Sequence, residues 1–160
     1  MNAMWKNLFG AFFAIALLAG CSGTDTTATT EGAGGAGGGA AVPGSQQDLV
    51  QNVGDRVLFA LDSSTLSAEA RQTLDRQAAW LAKYPQVQTQ VAGNCDERGT
   101  TEYNLALGQR RANAARDYLV ARGVSSARLS TISYGKDRPT ALGSDEQSWS
   151  QNRNAITSVR

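Results

Sequence analysis

The chain has 160 residues, enough for one compact domain with extensions but not for two full domains. Charged residues make up 18% and the formal net charge is +1, so there is no basic excess of the kind a nucleic-acid surface needs. Histidine is absent, which removes the commonest general base and the commonest zinc ligand, while a hydrophobic content of 41% argues for a globular core.

The amino terminus reads as an address. Residues 1–20 hold one charge, Lys6, followed by an apolar run over 8–18. Eleven residues are too few to span a bilayer of about 30 Å, but they suit a secretory signal. The run ends in Leu18, Ala19, Gly20 and Cys21, a pattern that resembles the bacterial lipobox. That resemblance implies cleavage before Cys21 and lipid on its sulfur and amino group. Ser22, rather than Asp, favours the outer membrane in the enterobacterial sorting pattern. Cleavage also removes Lys6 and leaves the side-chain charges balanced. With Cys21 lipidated, Cys95 is the one remaining thiol, and no intrachain disulfide can form even in an oxidising compartment.

A tether follows at 21–45. Of the 24 residues from 22 to 45, eight are Gly, five Thr and five Ala, and Val42 is the one large aliphatic. Such a segment cannot bury enough apolar surface to offset its ordering entropy. As a flexible linker it has an r.m.s. span of about 25–30 Å.

The domain is expected over 46–160. Val57, Leu58 and Phe59 read as a strand. Ser67 suits the N-cap of a helix that carries Leu74, Ala78 and Leu81 on one face and ends near Tyr84, before Pro85. Residues 87–91 alternate with period two, which predicts a strand with one buried face. A second helix is predicted over 101–122, stopped by Gly123. A third strand at 129–134, a short helix at 145–152 and a last strand at 155–159 complete a βαβαβαβ order, and the short strands suit one sheet with helices on one face.

The loop from Gly93 to Thr100 (Gly-Asn-Cys-Asp-Glu-Arg-Gly-Thr) joins the second strand to the second helix. Free N–H groups at a helix start make such a loop a natural anion site. On the helix, Tyr103, Leu105, Leu107, Ala112, Ala114, Ala115, Tyr118 and Leu119 form an apolar arc. Asn104 and Arg111 fall near its centre, at about 60° and 40° from Leu107. A guanidinium buried there without a partner is very costly. Side chains lean toward the helix start, where the loop with Asp96 arrives, so Arg111 should meet Asp96, a ligand carboxylate, or both. A structural Arg–Asp pair without a ligand is the plainer alternative.

Four spaced segments, 93–99, 102–112, 134–139 (Tyr-Gly-Lys-Asp-Arg-Pro) and 152–155 (Asn-Arg-Asn-Ala), closely resemble the OmpA-like peptidoglycan-binding domain family. The resemblance covers about residues 55–160, and with the lipobox and tether it extends to the family's lipid-anchored, peptidoglycan-associated members. It implies an α+β two-layer sandwich with one mixed sheet. It implies non-covalent binding of the peptidoglycan stem peptide, with Asp96 and Arg111 holding the ends of diaminopimelate. Asn104, Leu105 and Asp62 would help line the pocket, with Arg153 at its rim. It also implies partnership with periplasmic TolB and the Tol envelope and cell-division machinery, at the periplasmic face of the outer membrane. Three positions depart from the commonest family pattern: Asn94 where His is frequent, Cys95 where Thr or Ala is frequent, and Asn154 where a second Arg is frequent. Asn94 can donate and accept but carries no charge, Cys95 suits a packing role, and Asn154 puts one anionic contact in doubt.

The chemistry of the pair is legible in its own right. The free end of diaminopimelate bears an ammonium and a carboxylate on one carbon; Asp96 matches the first, and the planar fork of Arg111 matches the second. Enzymatic action is not expected. Asp96 and Glu97 are adjacent, a nearby arginine would lower an aspartate pKa rather than raise it for acid catalysis, and no Ser or Cys has a histidine to activate it. Neither a cofactor nor a metal is expected, since Cys95, Asp96 and Glu97 lack ligand spacing. The competing class is a protein-binding adaptor whose main ligand is TolB.

Overall fold

The computed structural model describes residues 41–160. The signal segment, Cys21 and most of the tether therefore lie outside the described residues. A short helix α1 (Gln46–Asp48), capped by the Ser45 hydroxyl, runs into a wider π-type stretch at Leu49–Val53. Nothing in the periodicity announced this piece. Two local polar contacts and one long-range contact hold it: the buried Asp48 carboxylate accepts from Gly44 N and Asn52 Nδ2 nearby and, at 2.9 Å, from the distant Trp80 Nε1.

The main elements are strand β1 (Arg56–Leu58), helix α2 (Ala68–Lys83), strand β2 (Thr89–Asn94), helix α3 (Thr101–Ala121), strand β3 (Leu129–Gly135), helix α4 (Glu146–Asn152) and strand β4 (Asn154–Val159). Caps fix the helix starts, at Ser67 as the sequence indicates and at Thr100 as well. Ser67 accepts from Ala70 N at 3.1 Å, and Thr100 accepts from Tyr103 N. Gly123, at φ +92°, ends α3 in a conformation that a Cβ would disfavour.

The sheet has the order β1-β4-β2-β3. β4 runs antiparallel to both β1 and β2, whereas β2 and β3 are parallel, so the sheet is mixed. The α+β two-layer architecture is therefore the one expected. Leu74, Ala78 and Leu81 of α2 and Ala112, Ala115 and Leu119 of α3 pack on Val57, Val91 and Ala155 of the sheet. Each large aliphatic buried here contributes about 1.5–3 kcal/mol.

One strand differs from expectation. β2 begins at Thr89 rather than Val87, and five of its six residues are buried instead of one face only. It lies inside the sheet, between β4 and β3, so both of its faces are crowded. Val87 and Gln88 instead belong to the turn out of α2, where Val87 N bonds to Tyr84 O.

Helix α3 crosses β2 at unusually close range. A Cβ on Gly93 would stand 1.8 Å from the carbonyl oxygen of Gly108, and one on Gly108 would stand 2.4 Å from Ser133 Oγ and 2.8 Å from Gly93 O. Two glycines face each other, and this lets helix backbone touch strand backbone. The close approach brings the next helical turn, with Arg111, against the end of β2.

Candidate functional site

A cleft of about 210 Å³ opens where the β1–α2 loop, the β2–α3 loop, the first turns of α3 and the junction between α4 and β4 converge. Leu61, Asp62, Cys95, Asp96, Arg98, Gly99, Tyr103, Asn104, Leu107, Arg111 and Arg153 line it. Of the six residues singled out as wall-binding, five are thus brought together. Leu105 is not among the lining residues; it is exposed, with its backbone nitrogen packed near Gly135. A larger groove, about 350 Å³, runs beside β1 past Leu58, Ala70 and Thr73, but its arginine, Arg56, is already paired with Asp55.

Arg111 is 1% exposed, a guanidinium on a helix face that also buries Asn104, Leu107, Gly108, Ala112 and Ala115. Three backbone carbonyls hold it. Nε donates to Ser63 O at 2.8 Å, Nη1 to Asn94 O at 2.8 Å and Nη2 to Ala60 O at 3.1 Å. Nη1 also contacts Cys95 Sγ at 3.3 Å, and the guanidinium sits 5.3 Å from the Phe59 ring centre. The expected direct pair with Asp96 is not formed, and none of the ion pairs among the described residues includes Arg111. Carbonyl dipoles orient the group and satisfy most of its donors, but they carry no compensating charge. One N–H on Nη2 is left over from the five a guanidinium offers. Burial works against its charge and lowers its pKa, while Cys95 and Asp96 favour the charge.

Asp96 is 5% exposed and bonds to different arginines. Its Oδ1 accepts from Arg98 N and Nε, both at 3.2 Å; its Oδ2 accepts from Arg98 Nη2 at 2.7 Å and Arg153 Nη1 at 3.3 Å. Burial works to raise its pKa, but the hydrogen bonds from the Arg98 side chain and backbone and from Arg153 prevail and hold it below the ordinary aspartate value. Such a carboxyl gives up its proton more readily folded than unfolded. It therefore contributes stability above its unfolded pKa of about 4, and that contribution is lost as pH falls through the lower folded value. Asp96→Asn should lower stability at neutral pH and flatten its fall in acid. Thermal melts from neutral pH to about pH 2 check this, and an unchanged acid slope would contradict it.

Arg153 is not at a rim. It is 6% exposed, and it bridges Asp96, Phe59 O and the Glu146 carboxylate, the last at 2.6 Å. Asn104, 2% exposed, supports the loop by donating from Nδ2 to Arg98 O at 2.8 Å and Thr100 O at 3.0 Å. Asp62 takes a left-handed backbone, φ +54°, and its carboxylate accepts from the Tyr103 hydroxyl. Its oxygens therefore stand at the open side of the cleft, tied to the first turn of α3.

Sequence reasoning did not single out Arg98, Tyr103, Glu146 or Trp149. Arg98 lies in the loop block, two residues from Asp96, and that proximity was a usable signal. Glu146 and Trp149 reach the site only because α4 folds back: Trp149 Nε1 donates to Glu97 Oε1 at 3.0 Å, and the Arg98 guanidinium stacks 4.1 Å from the Trp149 ring centre.

The three departures from the family pattern are also placed. Asn94 and Asn154 meet: Asn94 Nδ2 donates to Asn154 Oδ1 at 2.8 Å, while Asn154 Nδ2 donates to Gln151 O and Thr140 Oγ1. Neither lines the cleft. Cys95 is 3% exposed and free, with its thiol donating to Asn104 O. Burial pushes its pKa up. Maleimide should therefore label Cys95 slowly in the native domain and quickly after unfolding, and equal rates would contradict the packing.

The family model described as OmpA family matches residues 58–153. The chain belongs to the OmpA family. This OmpA-family chain is 56% identical over 140 residues to the peptidoglycan-associated lipoprotein of Rhizobium meliloti (strain 1021), covering 88% of this chain and 80% of that one. To the protein of the same name from Haemophilus influenzae it is 42% identical over 156 residues, 98% of each chain. Among solved structures, the peptidoglycan-associated lipoprotein from Burkholderia pseudomallei superposes with a TM-score of 0.64 at 44% identity, covering 66% of this chain and 90% of that one. The C-terminal domain of Helicobacter pylori MotB superposes with a TM-score of 0.62 at 23% identity, which shows the shared OmpA-like fold alone.

Proposed function

We propose that this OmpA-family domain binds peptidoglycan non-covalently by gripping the zwitterionic free end of diaminopimelate in the stem peptide. A lipid on Cys21 would hold it at the periplasmic face of the outer membrane, so that the protein ties membrane to wall. The observation that carries the reading is Arg111: a buried cation without a carboxylate partner, lining a cleft that Asp96 also lines. A ligand carboxylate supplies the missing anion, and its ammonium answers Asp96 or the nearby Asp62. The names of the relatives support the wall as the source of that ligand. Recognition of this kind needs no bond-breaking step, and the site is proposed as a binding site rather than a catalytic one.

The soluble tripeptide L-Ala-γ-D-Glu-meso-diaminopimelate should bind the protein, and amidation of the diaminopimelate carboxylate should weaken binding at least about tenfold, because Arg111 is then left without its anion. Equal affinity for both peptides would sink the assignment. For the anchor, Cys21→Ser should move the protein from the membrane fraction to the soluble periplasmic fraction; retention of Cys21→Ser with the membrane would refute the lipid.

A second reading has its own support. Leu61 and Tyr103, at the cleft, and Leu105, next to it on α3, are exposed apolar or aromatic groups, which suits docking of a protein. TolB, with the rest of the Tol envelope and cell-division machinery, is the partner proposed for it, on surface that overlaps the wall site.

A further inference from the structure

The Asp96 carboxylate has no vacancy. A carboxylate offers about four lone-pair sites, and three are taken by Arg98, through its backbone nitrogen, Nε and Nη2, with the fourth taken by Arg153. Arg153 is itself locked, 6% exposed and fixed to Phe59 O and Glu146. The Arg98 side chain is different. It is 35% exposed, it comes from the same loop, and it has two other interactions to keep if it leaves Asp96: the Trp149 ring at 4.1 Å and Glu146 at 3.9 Å.

We infer that Arg98 is an internal stand-in for the ligand ammonium, occupying Asp96 in the empty domain and swinging off along Trp149 when an ammonium arrives. This rests on the wall-peptide reading above and deepens it. The exchange replaces one cation on Asp96 by another, so the buried carboxylate is never left uncompensated. Asp96 loses Nη2 from Oδ2 and Nε from Oδ1 and gains ammonium N–H donors in their place, while the Arg98 backbone N–H on Oδ1 can stay. Arg98 retains Glu146 and the indole face, so its own charge is not stranded either. A ligand without the ammonium cannot complete this exchange, because displacing Arg98 would leave Asp96 with Arg153 as its one charged donor. Arg98 thus acts on affinity, because every ligand that takes its place must break the same ion pair, while the Asp96 carboxylate itself sets the preference for an ammonium.

The test uses the full-length chain in detergent micelles and two probes, the L-Ala-γ-D-Glu-meso-diaminopimelate tripeptide and the same peptide N-acetylated on its free diaminopimelate amine. Affinities are measured by titration calorimetry for wild type, Arg98→Ala and Arg98→Gln, the glutamine variant keeping a flat polar group over Trp149. Removing a competing, partly exposed ion pair should tighten the free-amine peptide about five- to tenfold in both variants. The acetylated peptide offers Asp96 no cation in any of the three proteins, so it should gain no more than the free-amine peptide from either substitution. Folding of each variant is read by circular dichroism. If both folded variants bind the free-amine peptide with unchanged or weaker affinity, Arg98 is no stand-in and the inference is overturned. That outcome differs from failure of the wall-peptide reading itself, in which wild type would bind neither peptide.

Discussion

Arg111→Lys should leave a folded domain that has lost the wall peptide. Lysine keeps the positive charge but replaces a planar fork by a point charge. In the native domain the fork is oriented by Ala60 O, Ser63 O and Asn94 O, which lie on two different loops or strands. An ammonium, with three donors, can approach one or two of these carbonyls, but it cannot satisfy all three and still keep an N–H for a ligand carboxylate, as Arg111 does with the remaining N–H on Nη2. Binding should fall by about 2–4 kcal/mol, roughly 30- to 1,000-fold. Arg111→Ala should go further. It orphans three carbonyls and removes the guanidinium that pins the β1–α2 loop to the end of β2, costing about 3–5 kcal/mol of stability as well as the binding. Titration of the two variants with the stem tripeptide, alongside denaturant melts, separates these effects. A lysine variant with wild-type affinity would show that the fork is structural and the ligand carboxylate lies elsewhere.

Gly93→Ala should be the most damaging single methyl in the domain. Its Cβ would sit 1.8 Å from Gly108 O and 2.6 Å from Gly108 C, and both are backbone atoms of α3 that no rotamer change can move. The helix must lift off β2, which opens the core at Ala112 and Ala115 and withdraws Arg111 from Asn94 O. A loss of more than about 4 kcal/mol is expected, enough to unfold a domain of ordinary stability. Gly123→Ala is the comparison. Unlike Gly93 it is at positive φ, but its Cβ would meet nothing within 4 Å, so the cost should stay at about 1–2 kcal/mol. Denaturant midpoints of the two variants check the contrast; equal midpoints would mean that α3 and β2 have room the structure does not show.

The helices and the later strands were legible because their signals are local. Ser67 and Thr100 cap by bonds spanning three residues, and Pro85 and Gly123 stop what precedes them. Asn104 and Arg111 stood out for the same reason: polar groups within an apolar arc, and both prove nearly fully buried. Their partners were not legible. Arg111 bonds to backbone carbonyls, which every residue carries and no side chain advertises. Asp96 takes one of its arginines from Arg153, 57 positions away, brought near by the antiparallel register of β4 on β2. Gly93 and Gly108 are ordinary glycines until the helix is laid on the strand. Asn94 and Asn154 looked like two separate departures and are one amide pair, a connection that only the sheet register makes. The α3 arc is narrower than the sequence suggests for a related reason: Tyr103 is exposed because the cleft, not the core, lies beside the first turn, and Leu105 next to it is exposed as well.

Co-sedimentation with purified sacculi rich in diaminopimelate tests the central claim most directly, comparing wild type with Arg111→Lys and Asp96→Ala at equal, verified folding. The account predicts that wild type pellets with the sacculi, that excess free stem tripeptide releases it, and that both variants stay in the supernatant. Folded Arg111→Lys and Asp96→Ala that pellet as completely as wild type would contradict it and leave the two residues as parts of the fold alone.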